Sequence, residues 1–148
     1  TRLTPRGSAP EGGRWLEIVA PLDVLPLWVR AGAIVPMGPE MAYVEERPCD
    51  PLTLELYHPQ GEAETTIYEE DRPAIPVRTV RQEDELIVEV GAAPGEVEIV
   101  LYGAPAEVAE REGQELVLVE AATGRSVRFD GTEPSRVVFY LTGGNCEA

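Results

Sequence analysis

Carboxylates dominate the reactive side chains of this 148-residue sequence: 27 Asp and Glu face 12 basic residues, every one of them Arg, for a formal net charge of −15. Two carboxylates about 5–5.5 Å apart in a cleft could cleave a glycosidic bond as acid and nucleophile, provided the cleft raises the pKa of one of them. The densest acidic run, Glu69-Glu70-Asp71, follows Tyr68 and reads as a solvated turn. It lacks the alternating Asp/Asn spacing and the glycine of a calcium loop. The single histidine, His58, stands in Tyr-His-Pro with no Cys or His beside it, and reads as a solvated turn residue rather than a ligand or base. Cys49 and Cys146 stand 97 residues apart, each alone, so no zinc spacing exists. Ser8, Ser126 and Ser135 lack nucleophile-elbow glycines. Gly12-Gly13 and Gly143-Gly144 lack the strand–helix context and lysine of a phosphate loop. No catalytic, cofactor-binding or metal-ligating residue is assigned, and no cofactor is expected. Trp15, Trp28, Tyr57, Tyr68 and Tyr102 could stack on sugar faces, although strand aromatics more often serve packing.

The charge balance argues against nucleic acid and anionic membrane as partners, because both need basic patches. The most apolar stretch, Leu22 to Met37, contains Asp23, Arg30, Pro26 and Pro36, and falls short of the roughly 20 apolar residues of a membrane span. No signal-peptide pattern follows Thr1. Two isolated cysteines do not make a disulfide scaffold; both are read as free thiols in a reducing compartment, which makes the cytoplasm the expected location.

The elements that must position these residues show period-two patterning almost throughout. Leu52, Leu54 and Leu56 alternate with Thr53, Glu55 and Tyr57, and the same holds for Leu86–Val90 and Val97–Tyr102. Arg14–Val19, Pro26–Arg30, Glu115–Val119, Ser126–Phe129 and Arg136–Leu141 read alike. Turn signals separate them at Pro59-Gln-Gly61, Ala93-Pro-Gly95, Glu112-Gly113, Thr123-Gly124 and Asp130-Gly131. Only Ala104–Glu110 has some helical character, and Pro105 argues against a long helix there. The fold class is therefore all-β: an antiparallel β-sandwich preceded by an incomplete small β-sheet. The Pro-rich acidic run Glu45 to Pro51 divides the chain into residues 1–46 and residues 47–148. A barrel of the (β/α)₈ type needs roughly 250 residues and cannot fit.

Two stretches carry a family resemblance. Pro21-Leu-Asp-Val-Leu-Pro-Leu-Trp-Val-Arg-Ala-Gly-Ala-Ile-Val-Pro36 resembles the segment that follows the catalytic barrel in family 31 glycoside hydrolases, the α-glucosidases and α-xylosidases. Leu52-Thr-Leu-Glu-Leu-Tyr57, then Gly61 and Thr66-Ile-Tyr-Glu-Glu-Asp71, is similar to the opening of that family's distal C-terminal β-sandwich, with Arg72-Pro73 where the family usually has Gly. The resemblance implies a partial proximal domain (1–46) and a distal sandwich (47–148), with the chain beginning part-way through the former. The family's Trp-x-Asp-Met nucleophile context has no counterpart: Trp15 leads to Leu-Glu and Trp28 to Val-Arg.

The expected function is thus that of a non-catalytic accessory region of an α-glycosidase. Its implied partner is the parent's catalytic barrel, met through Pro21–Pro36. The alternative is a carbohydrate-binding sandwich, and oligosaccharide or a second copy of the chain are further candidate partners. Alone, the chain should leave part of the Leu25–Pro36 segment exposed, disordered or buried in a crystal or dimer contact.

Overall fold

Strict alternation in Ile75–Gln82, Glu85–Val90 and Ser135–Leu141 sends every second side chain to one face, and each run forms a strand with one face buried. In a computed structural model, which describes residues 13, 15, 17, 21–23, 25–43, 46–69, 72–121 and 124–142, eleven strands occur among those residues. They are β1 (Ile34–Met37), β2 (Leu52–Tyr57), β3 (Glu62–Ile67), β4 (Ile75–Gln82), β5 (Glu85–Val90), β6 (Glu96–Tyr102), β7 (Ala106–Arg111), β8 (Gln114–Leu116), β9 (Val119–Ala121), β10 (Gly124–Asp130) and β11 (Ser135–Leu141). Sheet A has the order β1-β2-β6-β10-β9, and sheet B the order β3-β4-β5-β11-β7-β8. The all-β sandwich read from the sequence is the observed fold.

All pairings are antiparallel except β2 with β6, which run parallel in register from Leu52↔Val97 to Tyr57↔Tyr102. Between the sheets lies one core that includes Leu54, Leu56, Val88, Ile99, Val137 and Phe139. Each such fully buried aliphatic side chain contributes about 1.5–3 kcal/mol relative to exposure. At Glu112-Gly113, both residues take positive φ (51° and 80°), the mirror-type turn that matches the twist of a tight hairpin between paired Arg111 and Gln114.

Four local readings differ from the structure. Ala104–Glu110 is not helical; Ala106 onward is β7, which pairs with β11. Glu115–Val119 is not one strand. It splits into β8 in sheet B and β9 in sheet A, with Val117-Leu118 crossing between the sheets. Pro26–Arg30 forms no strand, because Pro26 offers no N–H and the segment has no ladder partner among the described residues. Among the described residues, the one strand before residue 46 is β1, and it joins sheet A through β2 rather than a small sheet of its own. Most of Arg14–Val19 lies outside the described residues, and Trp15 and Glu17 are not in strand. Among the described residues, no helix is long and apolar enough to cross a membrane.

Candidate functional site

A half-buried strand has one apolar face, but β2 and β6 are buried on both. Leu52, Leu54 and Leu56, with Val97, Ile99 and Leu101, point into the core. By alternation, Thr53, Glu55 and Tyr57 point to the opposite face, together with Glu98, Val100 and Tyr102. Double burial is the usual condition of parallel pairs. What covers this outer face of sheet A is the chain's own N-terminal segment.

At its centre sits Glu55, with 0% exposure. Tyr57 donates its hydroxyl to Glu55 Oε2 at 2.8 Å, and Tyr102 donates to Oε1 at 3.3 Å. The two rings stack with centroids 4.7 Å apart and an interplanar angle of 22°. A buried carboxylate is tolerated only when its oxygens find donors, and here two phenols from adjacent strands supply them. Burial and then the Glu55 carboxylate push the Tyr57 phenol well above its ordinary value. Farther along the face, Glu98 receives a bond from Arg128 Nη2 at 3.1 Å.

Val29 and Val35 pack on Tyr57, Val100 and Tyr102. The chain between them makes a β-turn in which Ala33 N donates to Arg30 O at 3.0 Å. Gly32 has φ +81°, a conformation that costs little only without a Cβ. Its N–H reaches Tyr57 O at 2.7 Å and His58 O at 3.2 Å, while Tyr57 N donates to Ala33 O at 3.1 Å. β1 then returns beside β2, and Ile34 packs against the core. Residues 25–33 thus form a strap whose far end is fixed to sheet A. Its near end is bare: Leu25 is 77% exposed, and Leu27 and Trp28 are each 58% exposed. This is the partial exposure anticipated for the segment.

The residues singled out in the sequence do not converge. His58 is exposed and lies over Gly103, where a Cβ would stand 2.1 Å from the imidazole. Glu69 pairs with Arg72 at 3.1 Å, and Glu70 and Asp71 lie outside the described residues. Cys49 is half-buried, and burial, followed by Glu69, raises its thiol above the usual range. Cys146 lies outside the described residues, as do Ser8, Gly12, Gly143 and Gly144. Ser126 and Ser135 are buried strand residues on different sheets. Trp15 and Tyr68 are exposed, while Tyr57 and Tyr102 are buried. No group of three or more His, Cys, Asp or Glu able to hold a metal occurs among the described residues. Sequence reasoning missed Glu55 as the hub of this face. The signal was its outward position in Leu-Glu-Leu, two residues before an outward Tyr.

Residues 49–139 match the family described as Alpha-xylosidase YicI, C-terminal domain. The chain belongs to that family. Among solved structures, it is similar to the GH31 dextranase of Flavobacterium johnsoniae complexed with glucose, with a TM-score of 0.65 and 17% identity, covering 76% of this chain and 19% of that one. It is likewise similar to the cycloalternan-forming enzyme of Listeria monocytogenes in complex with a pentasaccharide substrate, at TM-score 0.65 and 14% identity, over 75% of this chain and 13% of that one. At these identities the likeness is one of fold. The chain thus spans about a fifth or less of the length of the structures it matches.

Proposed function

We propose that this chain is a non-catalytic C-terminal region of a family 31 α-glycosidase, one that supports the scaffold on which a separate catalytic barrel acts on α-glucosides or α-xylosides. The observation that carries the reading is the strap. Its far end is fixed to sheet A, and its near end holds Leu25, Leu27 and Trp28 out in solvent. Such an apolar run, uncovered on both sides of the backbone, fits insertion beside strands of a larger neighbour. The barrel portion of the parent polypeptide, reached through Pro21–Pro36, is the partner, and a reducing cytoplasmic setting accompanies this reading.

Two measurements test it. Incubated with chromogenic α-glucosides and α-xylosides, the chain should release chromophore no faster than buffer. Turnover abolished by Glu69→Gln would sink the proposal. Titrated against the catalytic portion of its parent, the chain should associate, and Trp28→Glu should weaken that association at least tenfold. The alternative of sugar stacking on an aromatic pair is not favoured, since the stacked Tyr57–Tyr102 pair is buried.

A further inference from the structure

The outer face of sheet B lies open where that of sheet A is covered, and its side chains follow from register. Glu64 on β3 stands opposite Arg78 on β4, Arg78 opposite Glu89 on β5, and Glu89 opposite Arg136 on β11. Opposed residues project to the same face, so four neighbouring strands display a row of alternating sign. The row lines an open groove of about 760 Å³, whose wall includes Thr66, Pro76 and Gly91. A Cβ at Gly91 would stand 2.5 Å from Pro76 Cδ, so this part of the wall is bare backbone by steric necessity. Inside the row, Arg78 pairs with Glu89 at 3.7 Å and with Glu62 at 2.6 Å. The two ends are held more loosely: among the described residues, Glu64 acts on Arg78, and Arg136 on Tyr140, through charge without a close ion pair or side-chain hydrogen bond.

We propose that this groove binds a neutral oligosaccharide that spans the strands from Glu64 to Arg136. The Glu64 carboxylate accepts from hydroxyls and the Arg136 guanidinium donates to them, and each is planar and two-pronged, which suits the adjacent hydroxyls of a sugar ring. The row and Glu112 together set three carboxylates against two guanidiniums, and with the overall charge of −15 this disfavours anions. A hydroxyl both donates and accepts, so a polyol satisfies such a row without bringing charge. The volume falls within the roughly 300–1,000 Å³ of small-ligand sites. Among the described residues no aromatic side chain lines the groove, so binding is weak, with a dissociation constant on the order of 1 mM.

The choice of α-linked sugars as probes rests on the glycosidase reading above, but the site does not: the strap belongs to the other sheet, and each test can fail alone. Isotope-labelled chain is titrated with maltotriose, isomaltotriose and panose up to tens of millimolar, and amide shifts are followed. The expected result is saturable shifts at Glu64, Arg78, Glu89 and Arg136, lost in the Glu64→Ala/Arg136→Ala double variant while its unfolding midpoint stays in place. Three results would overturn the proposal. They are an absence of shifts, shifts that persist in the double variant, and shifts centred on Trp28 or Tyr68. Equal affinity for a uronic-acid trisaccharide would overturn the neutral character of the site.

Discussion

The outer faces of the two sheets are built from similar strands and end up in opposite conditions. On sheet A, the face holds Glu55, Tyr57, Val100 and Tyr102, all buried, with Val29 and Val35 packed against the two tyrosines and Val100. On sheet B, the corresponding face holds Glu64, Arg78, Glu89 and Arg136 around an open groove. The difference lies in what each face must satisfy. A carboxylate under cover needs donors fixed in place, and Glu55 has two from stacked rings. A carboxylate in water needs none, and Glu64 has none. Chemical type therefore says little about these glutamates. Cover decides whether one acts as a structural hub or as a free acceptor.

The contrast can be broken most forcefully at Tyr102. Tyr102→Ala removes a buried ring, its stack on Tyr57 and one donor to Glu55, and should cost about 3–5 kcal/mol in denaturant unfolding. Glu55→Ala should cost about 1–3 kcal/mol, because two buried phenols lose their acceptor. Gly32→Ala places a Cβ at φ +81° and should cost about 1–2 kcal/mol, with faster protease cleavage of the strap as the local readout. At the weak end, Arg136→Ala on the open face should leave the unfolding midpoint unchanged within error.

Alkaline pH sharpens the same comparison. The Tyr57 phenol is held above its unfolded value of about 10. The resulting stabilisation is complete below that value and disappears as pH rises through the folded one. Phenolate absorbance should therefore show Tyr57 ionising only well above pH of about 10, and Tyr57→Phe should flatten the loss of stability above that pH. If Tyr57 ionises at its unfolded value, the face is not covered in solution.

Much of the sandwich was legible in the sequence, because period-two patterning is a direct image of a sheet with one wet face. Leu86, Val88 and Val90 illustrate this, and so do the Gly turns at Gly61, Gly95, Gly113 and Gly131 between strands. Strand β4 was harder to see: Pro76 and two arginines interrupt its apolar run, although Ile75, Val77 and Thr79 still alternate inward. The β8–β9 division was hidden, since Glu115–Val119 keeps its pattern while its hydrogen-bond partners change from sheet B to sheet A. The candidate sites were less legible still. Glu55 and Glu64 look alike in sequence, each flanked by residues that suit a strand. Their fates are separated by position, Glu64 on an edge strand and Glu55 on an inner one, and by the strap, far upstream of Glu55 and pinned at Gly32 to the end of β2.

The parallel seam between β2 and β6 also sets an order of assembly. Antiparallel β4 and β5 are joined by a two-residue turn at Glu83-Asp84 and can zip as soon as both exist. β2 and β6 are separated in the chain by β3, β4 and β5, all of which belong to the other sheet. Closing so long a loop carries an entropic cost that local contacts do not offset. The strap depends on that seam in turn, since Tyr57 and Tyr102 come from its two strands. The surface on which Val29 and Val35 settle therefore exists only once the centre of sheet A is closed, which makes seating of the strap a late event in folding.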